Sequence, residues 1–235
     1  MKKAKLPKNP ENLASSLDYV FKDRELLLQA LRHPSYVYET DDPTLSDNQR
    51  LEFLGDSVIN LAITHLLMES FPEMKEGELS KNRASLVSET GLYPLACELH
   101  MGDYLLLGKG EERTEGRKKP SILTDALEAL VGAIYLDGGF DDAVRVIAKL
   151  FGPTLDRVSF GESLVDYKTE LQEYSQEAFQ STPEYRLERE TGPDHDKTFY
   201  AAVYLKGELM GKGKGKSKKE AERMAAKEAL SCLTR

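Results

Sequence analysis

The chain has 235 residues, of which 31% are charged and 40% hydrophobic, and its formal net charge is −8. This length suits one medium and one small domain, and the composition excludes a disordered or fibrous protein. Apolar runs are interrupted short of membrane-spanning length and the start of the chain lacks an apolar export segment, so we expect a cytoplasmic protein with no membrane partner.

The chain begins with two short helical patterns, over residues 9–17 and 24–31, and Asp23 is a suitable N-cap for the second. His33 precedes a proline, which disfavours helix at that position, and we expect it to serve a helix end or packing instead of catalysis. The polar residues 46–48 then predict a loop that supplies the capping residue of the next helix.

The next helix opens with the sequence Arg-Leu-Glu-Phe-Leu-Gly-Asp-Ser, starting at Arg50, and its apolar pattern continues to Met68. Glu52 and Asp56 are spaced i,i+4, so both carboxylates leave one face of the helix. A carboxylate that faces an apolar interior is costly unless a cation meets it. On this spacing alone, a solvent-facing stripe of an ordinary amphipathic helix stays an open alternative.

Further helices are predicted over residues 80–87, 90–99 and 141–158, with a polar, glycine-bearing connection over residues 105–119. Cys97 and Cys232 lie in helical patterns far apart in the chain, which predicts reduced thiols at core positions.

A second acidic helix, from Ser121 to Leu136, is apolar on nearly all sides, which is typical of a core helix. Its only charges, Asp125 and Glu128, are spaced i,i+3 and share one face. Two such helices facing each other gather four carboxylates, which repel one another or take up protons unless a cation is present. With no His or Cys nearby, oxygen ligands favour Mg²⁺, for which Mn²⁺ can substitute. Sites of this kind use metal-activated water to attack a phosphate ester.

These patterns predict a multidomain chain: an all-α domain over residues 8–158, a short polar linker over 159–163, and a small α+β domain over 164–235. From Asp166 onward the chain is neutral, with 13 basic and 13 acidic residues, and residues 206–219 hold six lysines and one acid. Such a local patch matters more for phosphate binding than the total charge. The small domain has the order α-β-β-β-α. Its two helices are predicted over residues 166–180 and 217–233. Its first two strands are predicted over residues 184–188 and 198–205, and a third strand follows the turn at residues 206–208.

Taken together, these motifs resemble bacterial ribonuclease III. The run that starts at Arg50 matches the signature of that family, although Gln49 stands where the family usually has Glu. The residues from Asp125 to Leu130 match a second acidic motif, and Glu76 begins a third, weaker match. The tail resembles a double-stranded-RNA-binding domain, in three stretches at residues 167–173, 192–195 and 215–222.

The resemblance implies an Mg²⁺-dependent endonuclease that cuts both strands of double-stranded RNA and processes ribosomal and other RNA precursors. Its products would carry 5′-phosphate and 3′-hydroxyl ends with short 3′ overhangs. The metal ligands would be Glu52, Asp56, Asp125 and Glu128, with Asp56 and Glu128 the most directly catalytic. The family also implies a homodimer in which Phe53 enters a pocket of the other subunit, although an ordinary core position for Phe53 stays open.

For RNA binding, the accessible groups of a duplex are its phosphates and the 2′-hydroxyls of its shallow minor groove. Gln172 and Glu173 are expected to bind 2′-hydroxyls and base edges, and Thr169 is counted among the RNA-binding residues because of the resemblance. His195 is expected to enter a second minor groove. A helix N-terminus favours anions, so the lysines that crowd the start of the last helix, Lys216, Lys218 and Lys219, are expected to bind phosphates together with it. Lys214 is expected to make a further phosphate contact. A solvated turn for the lysine run and a surface position for His195 are the alternatives.

Two other functions compete with the nuclease. The first is a protein that only binds duplex RNA and keeps the helical domain as a dimerisation scaffold; the presence of all four acids argues against it. The second is a metal phosphohydrolase of small nucleotides, which would have no use for the basic tail and for which no P-loop is present.

Overall fold

A computed structural model of the chain describes residues 8–40, 42–159, 167–193 and 197–233. The chain divides into two compact units between Leu164 and Val165, and each unit is described by itself. The predicted linker lies outside the described residues except for Ser159, which ends a helix.

In its described residues, the first unit is built from α-helices and short 3₁₀ turns, as predicted, apart from one isolated bridge between Arg32 and Leu106. The helices are α1 (Pro10–Ser16), α2 (Arg24–Ala30), α3 (Pro34–Thr40), α4 (Gln49–Ser70), α5 (Glu76–Val87), α6 (Glu89–Glu98), α7 (Lys109–Arg113), α8 (Pro120–Gly138) and α9 (Phe140–Ser159).

Three helices differ from the predictions, two in where they begin and one in being present at all. Pro34, expected only to break a helix, is the first residue of α3, because its fixed φ suits a position where the N–H is unpaired anyway. Helix α5 begins at Glu76 and not at Ser80, since acidic residues in a first turn complement the helix dipole. The polar connection contains the short helix α7.

The predicted caps are confirmed in one case and shifted in the other. The Asp23 carboxylate accepts a hydrogen bond from the Glu25 backbone N–H at 2.9 Å, as an N-cap should. At the start of α4 the acceptor is Asp47, which receives the Gln49 N–H at 3.1 Å. Asn48 occupies the cap position, but its side-chain amide donates to the Ala30 carbonyl instead.

Both cysteines are free and exposed, so the prediction of core positions for them is wrong. The buried stripe of α6 runs through Leu92, Leu95 and Ala96, and Cys97 falls just outside it.

Helix α4 is long and apolar enough to cross a bilayer by length and composition, which corrects the expectation drawn from apolar run lengths. Residues such as Val58, Ile59 and Ile63 are nevertheless buried in the protein core. A core helix can meet the same criterion without any membrane.

Helices α4 and α8 pack against each other at the centre of the first unit and cross at two glycines. A Cβ atom on Gly55 would overlap the backbone carbonyl of Glu128, and one on Gly132 would overlap the carbonyl of Leu51. Only a residue without a side chain permits this backbone-to-backbone approach. The crossing therefore brings the acidic segments of the two helices face to face.

The second unit has the predicted α-β-β-β-α order, with α10 (Tyr167–Phe179), β1 (Glu184–Thr191), β2 (Thr198–Leu205), β3 (Glu208–Gly215) and α11 (Lys218–Leu233). The sheet is antiparallel in the order β1-β2-β3. Lys206 and Gly207 join β2 to β3 with φ values of 51° and 85°, as a tight two-residue hairpin turn requires. Both helices contribute to one core with the sheet, formed by Tyr167, Leu171, Val203, Ala225, Ala226, Ala229 and Leu230.

Strand β3 carries alternating glycines and lysines, and the glycines lie under α11. A Cβ on Gly211 would lie 2.5 Å from the Ala225 carbonyl, and one on Gly213 would overlap the backbone of Ala221. Side chains alternate along a strand, so Lys212 and Lys214 point away from α11. Lys214 therefore does not share a surface with the lysines at the start of α11.

We predict that Gly132→Ala destabilises the protein by about 2 kcal/mol or more, because the added methyl group forces two backbones apart. The measurement is urea unfolding followed by circular dichroism. The control is Gly77→Ala in α5, where nothing lies within 4 Å of the new Cβ. That control should be neutral or stabilising by up to about 1 kcal/mol, since alanine favours a helix over glycine. Equal effects of the two substitutions would contradict the packing assigned to the crossing.

Candidate metal centre and RNA-binding surface

Three acidic side chains converge beside the glycine crossing. Glu52 of α4 and Asp125 and Glu128 of α8 each offer a carboxylate oxygen, and these oxygens all lie within 4.8 Å of one another. All three residues are half-buried. The two acidic pairs that the sequence singled out thus meet at one point, because their helices touch there.

Asp56, the fourth predicted ligand, is exposed and lies outside this group of three. One of its carboxylate oxygens accepts a hydrogen bond from the Asn60 side-chain amide at 3.0 Å. Its charge still reaches the group, because it helps to raise the pKa of Glu128. In this conformation Asp56 therefore does not complete the set of four predicted ligands.

The charged forms of these carboxylates are disfavoured. Burial, followed by repulsion from Asp56, Asp125 and Glu52, raises the pKa of Glu128 to about 8. Burial is also the main cause that raises the pKa of Glu52 and the pKa of Asp125. Among the described residues, no lysine, arginine or histidine forms an ion pair with any of the four acids.

This donor set fits a hard divalent cation. The converging atoms are all carboxylate oxygens, with no His or Cys ligand in the group of three. Such ligands suit Mg²⁺ and Mn²⁺ better than zinc or copper. A cation among them would offset the burial and the repulsion that raise the pKa of Glu128.

His33 caps a helix, as predicted from the proline that follows it. Its Nδ1 accepts the Ser35 backbone N–H at 3.2 Å and lies 2.8 Å from the Ser35 hydroxyl. Burial lowers the pKa of His33, so the ring is neutral at neutral pH. Since Nδ1 is an acceptor here, the ring carries its proton on Nε2.

Phe53 points away from the core with 80% of its surface exposed, so the core alternative does not hold in this chain. Leu61 and Met68, also on α4, are 58% and 61% exposed. They follow Phe53 by about two and four helical turns and therefore share its side of the helix. Together, Phe53, Leu61 and Met68 form the exposed α4 stripe.

In the second unit, three of the predicted RNA-binding residues meet. Thr169 and Gln172 of α10 and Lys219 of α11 line one cavity of about 380 Å³. Glu173, Lys216 and Lys218 are exposed, and the latter two lie at the start of α11. His195 lies outside the described residues.

Lys168 is a contributor that the sequence pattern did not single out. Its ammonium group pairs with Glu222 of α11 at 2.8 Å and lies 4.5 Å from the centre of the Tyr185 ring. It also lines the cavity with Thr169 and Gln172. Lys168 ties α10 to both α11 and β1, and so helps to set the positions of the polar side chains at that cavity. The only feature of the sequence that pointed to Lys168 was its position in the stretch 167–173, which resembles a double-stranded-RNA-binding domain.

Comparisons with known proteins agree with this division into two units. The Ribonuclease-III-like family model matches residues 23–155, and the double-stranded RNA binding motif matches residues 167–233. Ribonuclease 3 of Syntrophobacter fumaroxidans is 50% identical over 95% of this chain and 94% of its own length. Ribonuclease 3 of Borreliella burgdorferi is 48% identical over 99% of this chain and 93% of its own.

Solved structures match the first unit. The nuclease domain of ribonuclease III from Campylobacter jejuni superimposes with a TM-score of 0.57 and 44% identity, covering 63% of this chain and 96% of that one. A second structure of that domain, described for structural flexibility in a region involved in dimer formation, gives a TM-score of 0.57 at 43% identity. It covers 62% of this chain and 97% of that one.

The raised pKa of Glu128 predicts a pH-dependent stability. Between the ordinary pKa of 4.5 and about 8, the folded state keeps a proton that the unfolded state has lost, so stability falls as pH rises through this window. Glu128→Gln removes this loss. In EDTA at pH 8.5 its Tm should exceed that of the wild type by about 3 °C or more, and the gap should close near pH 4.5.

The measurement is a series of thermal unfolding curves in EDTA from pH 4.5 to 9. Glu69→Gln, at the exposed end of α4, is the matched control and should show no such trend. A Tm difference between Glu128→Gln and wild type that stays constant with pH would refute the raised pKa.

Proposed function

The chain belongs to the ribonuclease III family, and on that premise we propose that it is an Mg²⁺-dependent endoribonuclease that hydrolyses both strands of double-stranded RNA. The observation that carries this proposal is the convergence of Glu52, Asp125 and Glu128, whose carboxylates are crowded, partly buried and without an ion pair in the described part of the chain. Such a group is costly to fold unless it serves an ion.

The four acids have separable roles in this proposal. All four would be ligands of the ion, with Glu52 and Asp125 mainly holding it and Asp56 and Glu128 taking the most direct part in the chemistry. When bound, a divalent cation supplies positive charge that favours the attack of water on a phosphodiester. Burial raises the pKa of Glu128 to about 8, so this residue is suited to hold or pass a proton near neutral pH.

The products follow from which bond breaks. Water attacks the phosphorus atom, the bond from phosphorus to the 3′ oxygen breaks, and that oxygen takes a proton. The phosphate therefore stays on the 5′ end of one fragment, and the other fragment ends in a 3′-hydroxyl. Mn²⁺ is expected to replace Mg²⁺, because both prefer oxygen ligands in octahedral geometry.

Cutting both strands requires two centres, which we propose a homodimer supplies. The exposed α4 stripe (Phe53, Leu61 and Met68) is the apolar surface for this contact, since a large exposed aromatic at its end suits a pocket on a partner subunit. It starts one residue after Glu52, so pairing along it would bring the two acidic centres into one assembly. A small offset between the two cuts gives the short 3′ overhangs.

The second unit supplies affinity for the duplex. Thr169, Gln172 and Glu173 present polar groups for 2′-hydroxyls, while Lys216, Lys218 and Lys219 surround the N-terminus of α11 for phosphates. His195 is proposed as a second minor-groove contact. The family points to processing of ribosomal and other RNA precursors, and we place the protein in the cytoplasm with its substrates.

The test of this function is cleavage of a long RNA duplex followed on a gel. In Mg²⁺ the wild type should cut, and Glu128→Gln should lose many orders of magnitude in rate while binding the duplex normally, because it removes a ligand charge but little volume. Glu69→Gln applies the same substitution away from the centre and should cut normally. Duplex binding by the wild type without cleavage in Mg²⁺ or Mn²⁺ would show a protein that only binds RNA.

The dimer is tested with Phe53→Ala in the full chain. Loss of an aromatic anchor that fills a partner pocket typically costs about 2 kcal/mol or more, so the dimer dissociation constant should rise roughly thirtyfold. Analytical ultracentrifugation across micromolar concentrations measures this. The control is Val20→Ala, which should leave the dimer intact. Val20 is 83% exposed, as Phe53 is 80% exposed, but it lies between α1 and α2 and not on α4. A wild type that sediments as a monomer, or a Phe53→Ala variant that dimerises normally, would rule out this interface.

A further inference from the structure

The sheet of the second unit has an outer face that none of the described helices of this unit covers. Val203 of β2 lies in the core with α10 and α11. Because side chains alternate along a strand, its neighbours Ala202 and Tyr204, and likewise Tyr200, lie on the opposite side. The outer face therefore has a row of two tyrosines with a small alanine between them.

An arginine side chain from β1 lies over the ring of each tyrosine in this row. The guanidinium carbon of Arg186 lies 4.5 Å from the centre of the Tyr204 ring, and that of Arg189 lies 4.1 Å from the centre of the Tyr200 ring. Both arginine side chains are exposed, so each is accessible to solvent while it contacts a tyrosine ring. Contacts of this kind hold a guanidinium in a fixed position.

Strand β3 adds two more cations to the same face. Lys212 pairs in register with Ala202, and Lys214 pairs with Tyr200. Two exposed carboxylates are also present: Glu184 lies 3.2 Å from Arg186, and Glu188 lies 3.5 Å from Lys212. Within the described parts of the chain, neither Arg189 nor Lys214 forms an ion pair.

Four cations against two carboxylates leave this face with a charge of +2. Exposed ion pairs contribute little stability, so a phosphate can replace a carboxylate at Arg186 or Lys212 at low cost. The face therefore offers phosphate-binding charges beside exposed planar groups, on a surface that is separate from the duplex-binding residues of α10 and α11.

We propose that this outer face binds single-stranded RNA. Unpaired bases can stack on the open side of an arginine plane, whereas the bases of a duplex have their faces buried in the helix. An exposed sheet face suits an extended strand, whose bases would stack over Arg186 and Arg189 while Lys212 and Lys214 contact its phosphates. The two tyrosines lie about 13 Å apart along β2, which separates the two arginine planes by several nucleotide-sized spacings at most.

This inference goes beyond the proposed nuclease function and does not rest on it. Its natural ligand is an unpaired segment that flanks a duplex, so one protein molecule would hold both parts of a structured RNA. The duplex would lie on the helix side of the second unit and the single strand on the sheet side. Recognition would depend on base stacking and charge, and hence would tolerate many sequences.

The test compares two double variants of the full chain in EDTA, which prevents cleavage. Arg189→Gln with Lys214→Gln removes two outer-face cations, while Lys218→Gln with Lys219→Gln removes two at the start of α11. Fluorescence anisotropy measures binding of a labelled oligouridylate of about 12 nucleotides and a blunt RNA duplex of about 16 base pairs. Titrations at several salt concentrations give the slope of log affinity against log salt.

The outer-face variant should bind the single strand roughly tenfold more weakly or worse, and its slope should fall by about 0.7 for each phosphate that the variant no longer neutralises. Its duplex affinity should stay within about twofold of the wild type, and the α11 variant should show the reverse pattern. The proposal fails if the wild type does not bind the single strand, or if both variants weaken both ligands equally. It also fails if the outer-face variant changes only the oligomeric state, since the face would then be a protein contact.

Discussion

The close crossing of α4 and α8 at Gly55 and Gly132 is the constraint on which the candidate site depends. With no side chain at either glycine, the two backbones touch, and the carboxylates of Glu52, Asp125 and Glu128 come within 4.8 Å of one another. Folding in this arrangement concentrates negative charge beside an apolar core. The cost appears in the raised pKa of Glu128, and a divalent cation is the ligand that we propose removes it.

Much of this could be predicted from the sequence, because acidic residues in an apolar helix are conspicuous and helical spacing defines a face. The sequence could not show that Gly55 and Gly132 are the contact points, since a glycine inside a helix has no distinctive pattern until its neighbour is known. It also could not show that the Asp56 side chain accepts a hydrogen bond from Asn60 and lies outside the group of the other three acids. Residue spacing defines the face of a helix but not the rotamer of a side chain.

The lysine run of the second unit illustrates the same limit. Residues 211–215 alternate glycine and lysine, and this pattern has different meanings in a turn and in a strand. In the structure it is a strand whose glycines fit under α11, so Lys212 and Lys214 face away from the lysines that begin that helix. The unit therefore has two basic surfaces, one beside polar side chains of α10 and one beside the tyrosines of β2.

The central claim is that crowded carboxylates hold a proton whose place a divalent cation takes. Calorimetric titration with Mn²⁺ at pH 7, in two buffers of different ionisation enthalpy, measures the protons released on binding. With a Glu128 pKa of about 8, we expect release of close to one proton per site, declining towards zero above about pH 9. Binding of Mn²⁺ at pH 7 without proton release would contradict this claim.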